Sequence, residues 1–386
     1  MSRLFVANFG FEEELSGRRM SRSAWEATRG LCGCWTPMLG PGDLAVLPPY
    51  QGETEAPAGA DRATEVVAWG WSRRMVRLAQ EVGSGGGIPD PSVVEALNRR
   101  RWSFEQEVEA GMVPSGAVLA ESRDACQGVV SRSPRIGSGW IVKADLGASG
   151  RQQRRITGDT PPAGFDEWLA GCLDRDGLVV VEPYLESVFE CGLQFELGTG
   201  GGVRYCGATE LLTTESGSYL GTRFGESVVL RLESDLEHLL ARLEPVVDRA
   251  AKAGYFGPLG IDAMCFRSPT GETVWRPLQE VNARFTMGRC ALEWASELPG
   301  GASGTVLVCR WAEAESVDRR LSELATEIEG LRQAERFSPP ESPPGSPSGL
   351  VLLVYDTNHD PGMIDSIESI ESIEGRVMAC LAGPAH

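Results

Sequence analysis

Histidines and long apolar runs are scarce in this 386-residue sequence. The three histidines, at positions 238, 359 and 386, supply no convincing Ser-His-Asp triad or zinc cluster. No apolar run reaches about 18 residues, so the sequence predicts no membrane-spanning helix. The opening MSRLFVANFGFEEEL lacks the basic, apolar and small-residue order of a secretory signal. We therefore expect a cytoplasmic protein with no membrane association.

Positive charge is also in deficit. The sequence has 36 Lys and Arg against 54 Asp and Glu, a formal net charge of −18. A surplus of this sign repels DNA, RNA and anionic membranes, which excludes nucleic acid as an expected partner. The ten cysteines are scattered, which is typical of buried thiols in a reducing compartment. Cys32 and Cys34 are the only close pair; a loop is favoured there, and a metal or redox site stays open.

A hairpin is predicted between positions 260 and 282. Gly260–Phe266 alternates like a strand, a glycine-containing turn follows, and Thr273–Val281 is typical of the returning strand. The hairpin brings Asp262 close to Glu280 and Asn282, which share one face because they are two residues apart. Two carboxylates and an amide oxygen are a ligand set that Mg2+ prefers. We therefore predict that these three residues bind Mg2+ or Mn2+ beside a nucleotide triphosphate.

A lysine-bearing strand followed by glycines predicts a phosphate-binding loop upstream. Residues 139–146 are typical of a strand that contains Lys143. Small residues after it let backbone N–H groups point at phosphate oxygens, and the lysine supplies positive charge. The order differs from a Walker A loop because the lysine precedes the glycines, and a plain hairpin turn is the alternative. The predicted loop residues are Gly147, Ala148, Ser149 and Gly150.

Residues 178–185 are predicted to contact an adenine base. The segment Leu178-Val-Val-Val-Glu-Pro-Tyr-Leu185 is apolar and ends in a proline-containing kink. Such a connection leaves backbone N–H and C=O groups that can pair with the edge of the ring. Glu190 follows at a reach suited to the ribose hydroxyls. The polar loop between positions 211 and 225 either covers a bound ligand or only connects two strands.

Together these motifs resemble the ATP-grasp superfamily over about residues 95–310, in the family's order. The lysine is similar to the family's phosphate-contacting lysine, and the hairpin carries the family's Glu-x-Asn spacing. The resemblance implies ATP and Mg2+ (or Mn2+) as cofactors. The matched residues are Lys143 and Gly147–Gly150 for phosphate, Glu182, Tyr184 and Leu185 for adenine, Glu190 for ribose, and Asp262, Glu280 and Asn282 for metal.

Two departures from the family pattern affect the predicted site. Where the family usually has a lysine before the glycine loop, this sequence has three arginines, of which we assign Arg101 to phosphate. The sequence after Asn282 also lacks the Ser/Thr-Pro-Gly of dipeptide ligases. Arg284 and Arg289 are suited to holding a second carboxylate there; a surface charge at a helix start is an equal alternative for Arg289.

The resemblance implies a fold of α/β and α+β class, in which two α+β lobes clamp ATP behind a small α/β domain. The predicted regions are 1–94 for the N-terminal domain, 95–310 for the ATP-grasp domain with lobes about 95–185 and 186–310, and 311–386 for a helix, a Pro/Ser-rich linker and a tail. Residues 338–349 predict an extended, mobile segment, and residues 350–355 can add one strand.

The implied reaction is that of a carboxylate–amine ligase. Phosphoryl transfer from ATP gives an acylphosphate, an amine displaces phosphate, and Lys143 and Arg284 are assigned to the developing charge. The implied partners are a small-molecule carboxylate and an amine, such as an amino acid or small peptide, and a homodimer stays open. The alternatives are an ATP-binding scaffold or regulator without chemistry, a small-molecule kinase, or a carboxylating subunit on the same fold.

Overall fold

The computed structural model describes residues 2–48, 50, 63–147, 152–158, 160–214, 217–298, 302–310, 314–328, 331–337, 348–356 and 367–382. The strands in this part of the chain form three sheets, of three, eight and four strands. None of its helices combines the length and the apolar character needed to cross a membrane.

The N-terminal region is a small parallel sheet covered by helices. Its elements are β1 (Arg3–Val6), α1 (Phe11–Leu15), α2 (Arg22–Thr28), a 3₁₀ helix (Arg29–Met38), β2 (Leu44–Val46), β3 (Glu65–Ala68) and α3 (Arg73–Glu81). The strands pair in the order β2-β1-β3. Leu4, Phe5 and Val6 of the central strand are fully buried, since a central parallel strand is covered on both faces.

An antiparallel four-stranded sheet and its helices follow. The elements are α4 (Pro91–Leu97), α5 (Arg100–Glu109), β4 (Val118–Ala120), α6 (Arg123–Val130), β5 (Trp140–Ala144), β6 (Gln153–Ile156), α7 (Phe165–Asp176) and β7 (Val179–Pro183). The strand order is β4-β7-β5-β6. Val142, Val179 and Val181 are buried in one apolar cluster with residues of α6 and α7. Strand alternation therefore leaves Lys143 and Glu182 on the opposite face.

The largest sheet has eight strands. Its elements are β8 (Ser187–Leu197), β9 (Val203–Thr213), β10 (Tyr219–Gly225), α8 (Glu226–Leu232), α9 (Leu236–Lys252), β11 (Gly257–Arg267), β12 (Thr273–Asn282), α10 (Met287–Ala295), β13 (Ala302–Arg310), α11 (Ala314–Glu327), β14 (Leu331–Phe337), β15 (Ser348–Asp356) and α12 (Ile367–Ala382). The strand order is β12-β11-β8-β9-β10-β13-β15-β14. The predicted hairpin is β11 and β12, which pair antiparallel at the edge of this sheet.

The large sheet continues past residue 310. Strand β15 pairs with both β13 and β14, and it contains the strand expected at 350–355. Arg223 of β10 donates to both carboxylate oxygens of Glu374 on α12, at 2.8 and 2.7 Å. The division of the chain at residue 310 stays a proposal. The Pro/Ser-rich segment lies outside the described residues over 338–347, and its last two residues begin β15.

Candidate active site

A cavity of about 1090 Å³ lies where the three sheets meet. The N-terminal region contributes Glu12 and Trp69 to its lining, the four-stranded sheet contributes Lys143, and the large sheet contributes Asp262 and Glu280. The long segments between these positions show that one site is assembled from parts of the chain that are remote in sequence. All three predicted metal ligands line this cavity.

The predicted metal ligands are brought together by the register of the hairpin. Asp262 pairs directly with Glu280, and the register shifts after Asp262, which is the local irregularity that often re-aims a side chain next to a functional site. The Nδ2 group of Asn282 donates to Asp262 Oδ2 at 3.1 Å. Removal from bulk water, and then the charge of Glu280, raise the pKa of Asp262 to about 7. Two carboxylates therefore repel each other across one strand pair.

The chemistry of this donor set suits a divalent cation. In the described part of the chain, no Lys or Arg side chain forms an ion pair with Asp262. No group of three or more His, Cys, Asp and Glu with metal-site geometry occurs among the described residues. Asp262, Glu280 and Asn282 contain only two carboxylates, so they do not form a group of three such residues. Their oxygen atoms nevertheless suit Mg2+, whose remaining coordination positions would be taken by water and phosphate.

Lys143 is held by a carboxylate on the neighbouring strand. Its Nζ contacts Oε1 of Glu182, because β5 and β7 are adjacent. Glu182 also accepts from Arg276 Nη2 at 2.9 Å, and Arg276 forms two bonds of 2.8 Å with Glu107. Burial alone would raise the pKa of Glu182, but the charges of Arg276 and Lys143 outweigh it and hold the pKa below its usual value. Glu182 thus orients Lys143 at the cavity wall.

Of the three consecutive arginines, Arg100 lines the cavity, one residue before the predicted Arg101. Arg100 donates to the carbonyls of Ala144 and Gly147, at 2.7 and 3.1 Å, and pairs with Glu280 at 3.2 Å. Arg101 instead binds the carboxylate of Asp145 and does not line the cavity. Successive helical side chains point about 100° apart, so sequence reasoning identified the arginine cluster but not which member faces inward.

Of the other predicted nucleotide contacts, Gly147, Glu182, Tyr184, Leu185 and Glu190 line the cavity. The guanidinium of Arg155 lies 3.5 Å from the centre of the Tyr184 ring, which covers one side of this wall with a cation. Ala148, Ser149 and Gly150 lie outside the described residues.

Arg284 and Arg289 occupy different surroundings. Arg284 lines the cavity and donates from Nε to Glu12 at 2.7 Å and from Nη1 to the carbonyl of Phe285 at 2.9 Å. Arg289 forms an ion pair with Glu293 of the same helix and is not among the lining residues. Arg289 therefore lies at the helix start, but it is not a surface charge, since only 12% of its side chain is exposed.

Sequence reasoning missed several lining residues. Gln194 lies on β8 four positions after Glu190, and Arg276 lies on β12 four positions before Glu280. The even spacing along a strand, which puts both members of each pair on one face, was the available signal. Phe9, Glu12 and Trp69 carried no comparable signal because their position depends on how the N-terminal region packs.

Comparison of the sequence with family models gives no match, and a search of curated proteins gives none either. Solved structures do match. The N5-carboxyaminoimidazole synthetase of Staphylococcus aureus, complexed with ADP, is 11% identical and matches over 98% of this chain and 97% of that chain, with a TM-score of 0.56. The chain has the ATP-grasp fold.

Two further structures with the ATP-grasp fold are similar. The N5-carboxyaminoimidazole synthase of Aspergillus clavatus, in complex with ADP and 5-aminoimidazole ribonucleotide, matches over 97% of this chain and 98% of that chain, with 13% identity and a TM-score of 0.53. The biotin carboxylase domain of Hydrogenobacter thermophilus 2-oxoglutarate carboxylase matches over 92% and 86%, with 13% identity and a TM-score of 0.54. The predicted superfamily resemblance and fold class are confirmed, at identities that carry the fold alone.

Proposed function

We propose that the chain is an ATP-dependent ligase that joins a carboxylate to an amine and releases ADP and phosphate. The observation that carries the proposal is the pair Asp262 and Glu280, two carboxylates held together without a cation partner for Asp262 in the described part of the chain. They lie in the same cavity as Lys143 and Arg100. Acidic and basic groups in one cavity suit a metal-bound polyphosphate.

The nucleotide would lie along the wall formed by the four-stranded sheet. Lys143, Arg100 and the loop that begins at Gly147 would contact its phosphates. Tyr184 and Leu185 would contact the base, and Glu190 the ribose. Lys143 has three N–H donors, so it can keep Glu182 and still donate to phosphate.

Asp262, Glu280 and Asn282 would hold Mg2+ through oxygen atoms. When bound, the ion neutralises charge on the phosphate oxygens. Lys143 and Arg100 would stabilise the transferred phosphoryl group while a carboxylate oxygen forms a bond to phosphorus and ADP leaves. Arg284, kept in orientation by Glu12, would face the acyl carbon as the amine attacks it, phosphate leaves, and the amine proton passes to water. No nucleophile from the chain is required.

A second candidate is carboxylation, in which bicarbonate is the carboxylate and a carbamate is the product. The similar solved structures include a carboxyaminoimidazole synthetase and the biotin carboxylase domain of a carboxylase, and the latter was solved in complex with bicarbonate. Incorporation of labelled bicarbonate into an acid-labile product, dependent on ATP and an amine, would support this candidate over an amide-forming ligase.

The test is product analysis of a matrix of carboxylates and amines with ATP and Mg2+. ADP and phosphate are expected, with a condensed product by mass spectrometry; AMP and pyrophosphate would overturn the proposal. Glu280→Ala should abolish turnover, whereas Glu272→Ala, in the exposed turn of the same hairpin, should not. Nucleotide binding by calorimetry, without turnover across the whole matrix, would instead support a scaffold or regulator.

A further inference from the structure

Gln194 presents an unused hydrogen-bond donor to the cavity. The side chain is 2% exposed and belongs to the cavity lining. Its Oε1 accepts from Thr286 Oγ1 at 2.7 Å, and Thr286 Oγ1 itself accepts from the Arg289 N–H. In this arrangement the hydroxyl gives its proton to Gln194, which turns the Nε2 group of the amide away from Thr286. The Nε2 group is left without a partner among the described residues.

Three glycines make room for this amide. A Cβ on Gly192 or on Gly288 would lie 2.8 Å from Gln194 Nε2, and one on Gly260 would lie 3.1 Å from Oε1. Gly288 is the second residue of α10, and the N–H groups of Met287 and Gly288 have no intrahelical acceptor. Met287 and Gly288 both line the cavity, and Gly288 lies next to the Gln194 amide. The Nε2 group of Gln194 at the cavity wall can therefore donate to an acceptor from outside the chain.

The N-terminal wall of the cavity is apolar and electrically neutral. It consists of Phe9, Leu31 and Trp69 together with Thr28 and Glu12. Within the described part of residues 1–94, the lining includes no Lys or Arg, and Glu12 is paired with Arg284. A phosphate group would find no uncompensated positive charge on this wall. An apolar group would find aromatic rings, with Phe9 and Trp69 centres 4.8 Å apart.

The donors and the apolar wall lie within the span of one small molecule. Three consecutive residues connect them: Arg284 contacts Glu12, the Phe285 N–H donates to the carbonyl of Trp69, and Thr286 donates to Gln194. Consecutive Cα atoms are about 3.8 Å apart. A ligand that reaches both surfaces is therefore about the size of a single amino acid.

We propose that the cavity binds an α-amino acid with an apolar side chain, whose carboxylate accepts from Gln194 and whose side chain packs on Phe9, Leu31 and Trp69. This rests on the proposed function in that the amino acid is one of the two substrates of the ligase. Gln194 is a specificity-determining residue, and the occupant is not a phosphorylated compound.

The test is calorimetric titration of L-phenylalanine into the full chain saturated with MgADP. We expect it to bind at least about 10-fold more tightly than 2-phenylethylamine, which lacks the carboxylate, or O-phospho-L-serine, which carries phosphate in place of the ring. Gln194→Leu should weaken phenylalanine binding at least about 10-fold, Gln194→Glu should weaken it further by charge repulsion, and neither should change 2-phenylethylamine binding. Gln127→Leu, at an exposed glutamine on α6, is the matched control.

The outcomes separate this inference from the proposed function. MgADP affinity that is equal in wild type and the Gln194 variants shows that the variants fold. Unchanged phenylalanine binding in Gln194→Leu, or equal binding of O-phospho-L-serine, would overturn the inference even where ligase turnover is found. If phenylalanine binding depends on Gln194 but no substrate combination releases ADP, the amino-acid site is supported and the ligase proposal is overturned. Where turnover occurs, Gln194→Leu should raise the KM for the amino acid and leave the KM for ATP unchanged.

Discussion

Two carboxylates of the cavity, Glu182 and Asp262, are both shielded from bulk water but differ in what surrounds them. Glu182 is paired with Lys143 and Arg276, whose charges hold its pKa below the usual value despite burial. Asp262 faces Glu280, and burial together with that like charge raises its pKa to about 7. Among the described residues, ion pairs therefore neutralise Glu182, whereas Asp262 forms no ion pair and the charge of Arg284 only partly offsets the effects of burial and of Glu280.

The difference distinguishes a positioning group from a ligand-binding group. Glu182 has a complete set of partners in the chain, so its role is to fix Lys143 and Arg276. Asp262 forms no ion pair within the described part of the chain, so a cation from outside can offset the cost of its buried charge. Variants of Glu182 and its cationic partners should therefore affect stability, whereas variants of Asp262 should affect ligand binding.

The largest expected effect is loss of stability on breaking the compensated cluster. Arg276→Met leaves Glu107 and Glu182 buried without their main partner, which should lower the free energy of unfolding by about 3–5 kcal/mol. Urea denaturation measures it, with Arg267→Met at the exposed end of β11 as the control. A decrease of the free energy of unfolding below about 1 kcal/mol would show that the ion pairs of Glu182 do not serve mainly for stability.

Removing the negative charge of Asp262 should instead weaken ligand binding and increase stability. Asp262→Asn should reduce Mg2+-dependent ADP affinity by about 100-fold, because an oxygen ligand loses its charge. Without metal, the folded pKa of about 7 lies above that of an unfolded Asp, so the charged carboxylate costs stability above pH 7 and the cost disappears as pH falls toward 4. The variant should thus be more stable than wild type at pH 8.

Calorimetric titration of ADP with and without Mg2+ measures the affinity. Urea denaturation at pH 8 and at pH 4 measures the stability difference. Asp248→Asn, at an exposed position of α9, is the control. Equal Mg2+ dependence in Asp262→Asn and wild type would remove Asp262 from the metal site.

A smaller effect should distinguish two neighbouring arginines. Arg100→Lys should weaken MgADP binding about 10-fold, because a lysine cannot keep the contacts to Ala144, Gly147 and Glu280 together. Arg101→Lys should change it less than about 2-fold, because Arg101 binds Asp145 away from the cavity. The reverse order of effects in the same titration would restore Arg101 as the phosphate contact.

The smallest effect should come from an exposed ion pair. Arg22 and Glu26 lie 3.2 Å apart on α2, with 75% and 54% of their side chains exposed. Arg22→Ala should change the free energy of unfolding by less than about 0.5 kcal/mol, since water screens the pair. A loss comparable with that of Arg276→Met would show that burial does not explain the large contribution of the Arg276 ion pairs to the free energy of unfolding.

Local patterns were enough to predict much of the hairpin and the two strands that carry charge. Alternation, a turn glycine and a two-residue spacing placed Asp262, Glu280 and Asn282 together, because hairpin pairing is a short-range consequence of sequence. The same reasoning put Lys143 on a strand next to a glycine-rich segment. The order of these motifs along the chain then led to the fold class.

Partners that come from distant elements could not be predicted in this way. Arg276, which binds Glu182, is 94 residues away from it, and Glu12, which binds Arg284, is 272 residues away. The surroundings of Gln194 likewise could not be predicted, because they include glycines on β8, β11 and α10, which meet only in the folded chain. The structure places Arg100 and not the predicted Arg101 in the cavity lining, because successive side chains on a helix point about 100° apart.

The sequence by itself determined the hairpin and the positions of its three oxygen-bearing side chains, since these depend on residue types and on pairing between neighbouring segments. The tertiary structure alone decided which charges compensate one another and which part of the N-terminal region closes the cavity. Those outcomes depend on how sheets and helices far apart in the chain pack against each other, and packing is a property of the whole fold.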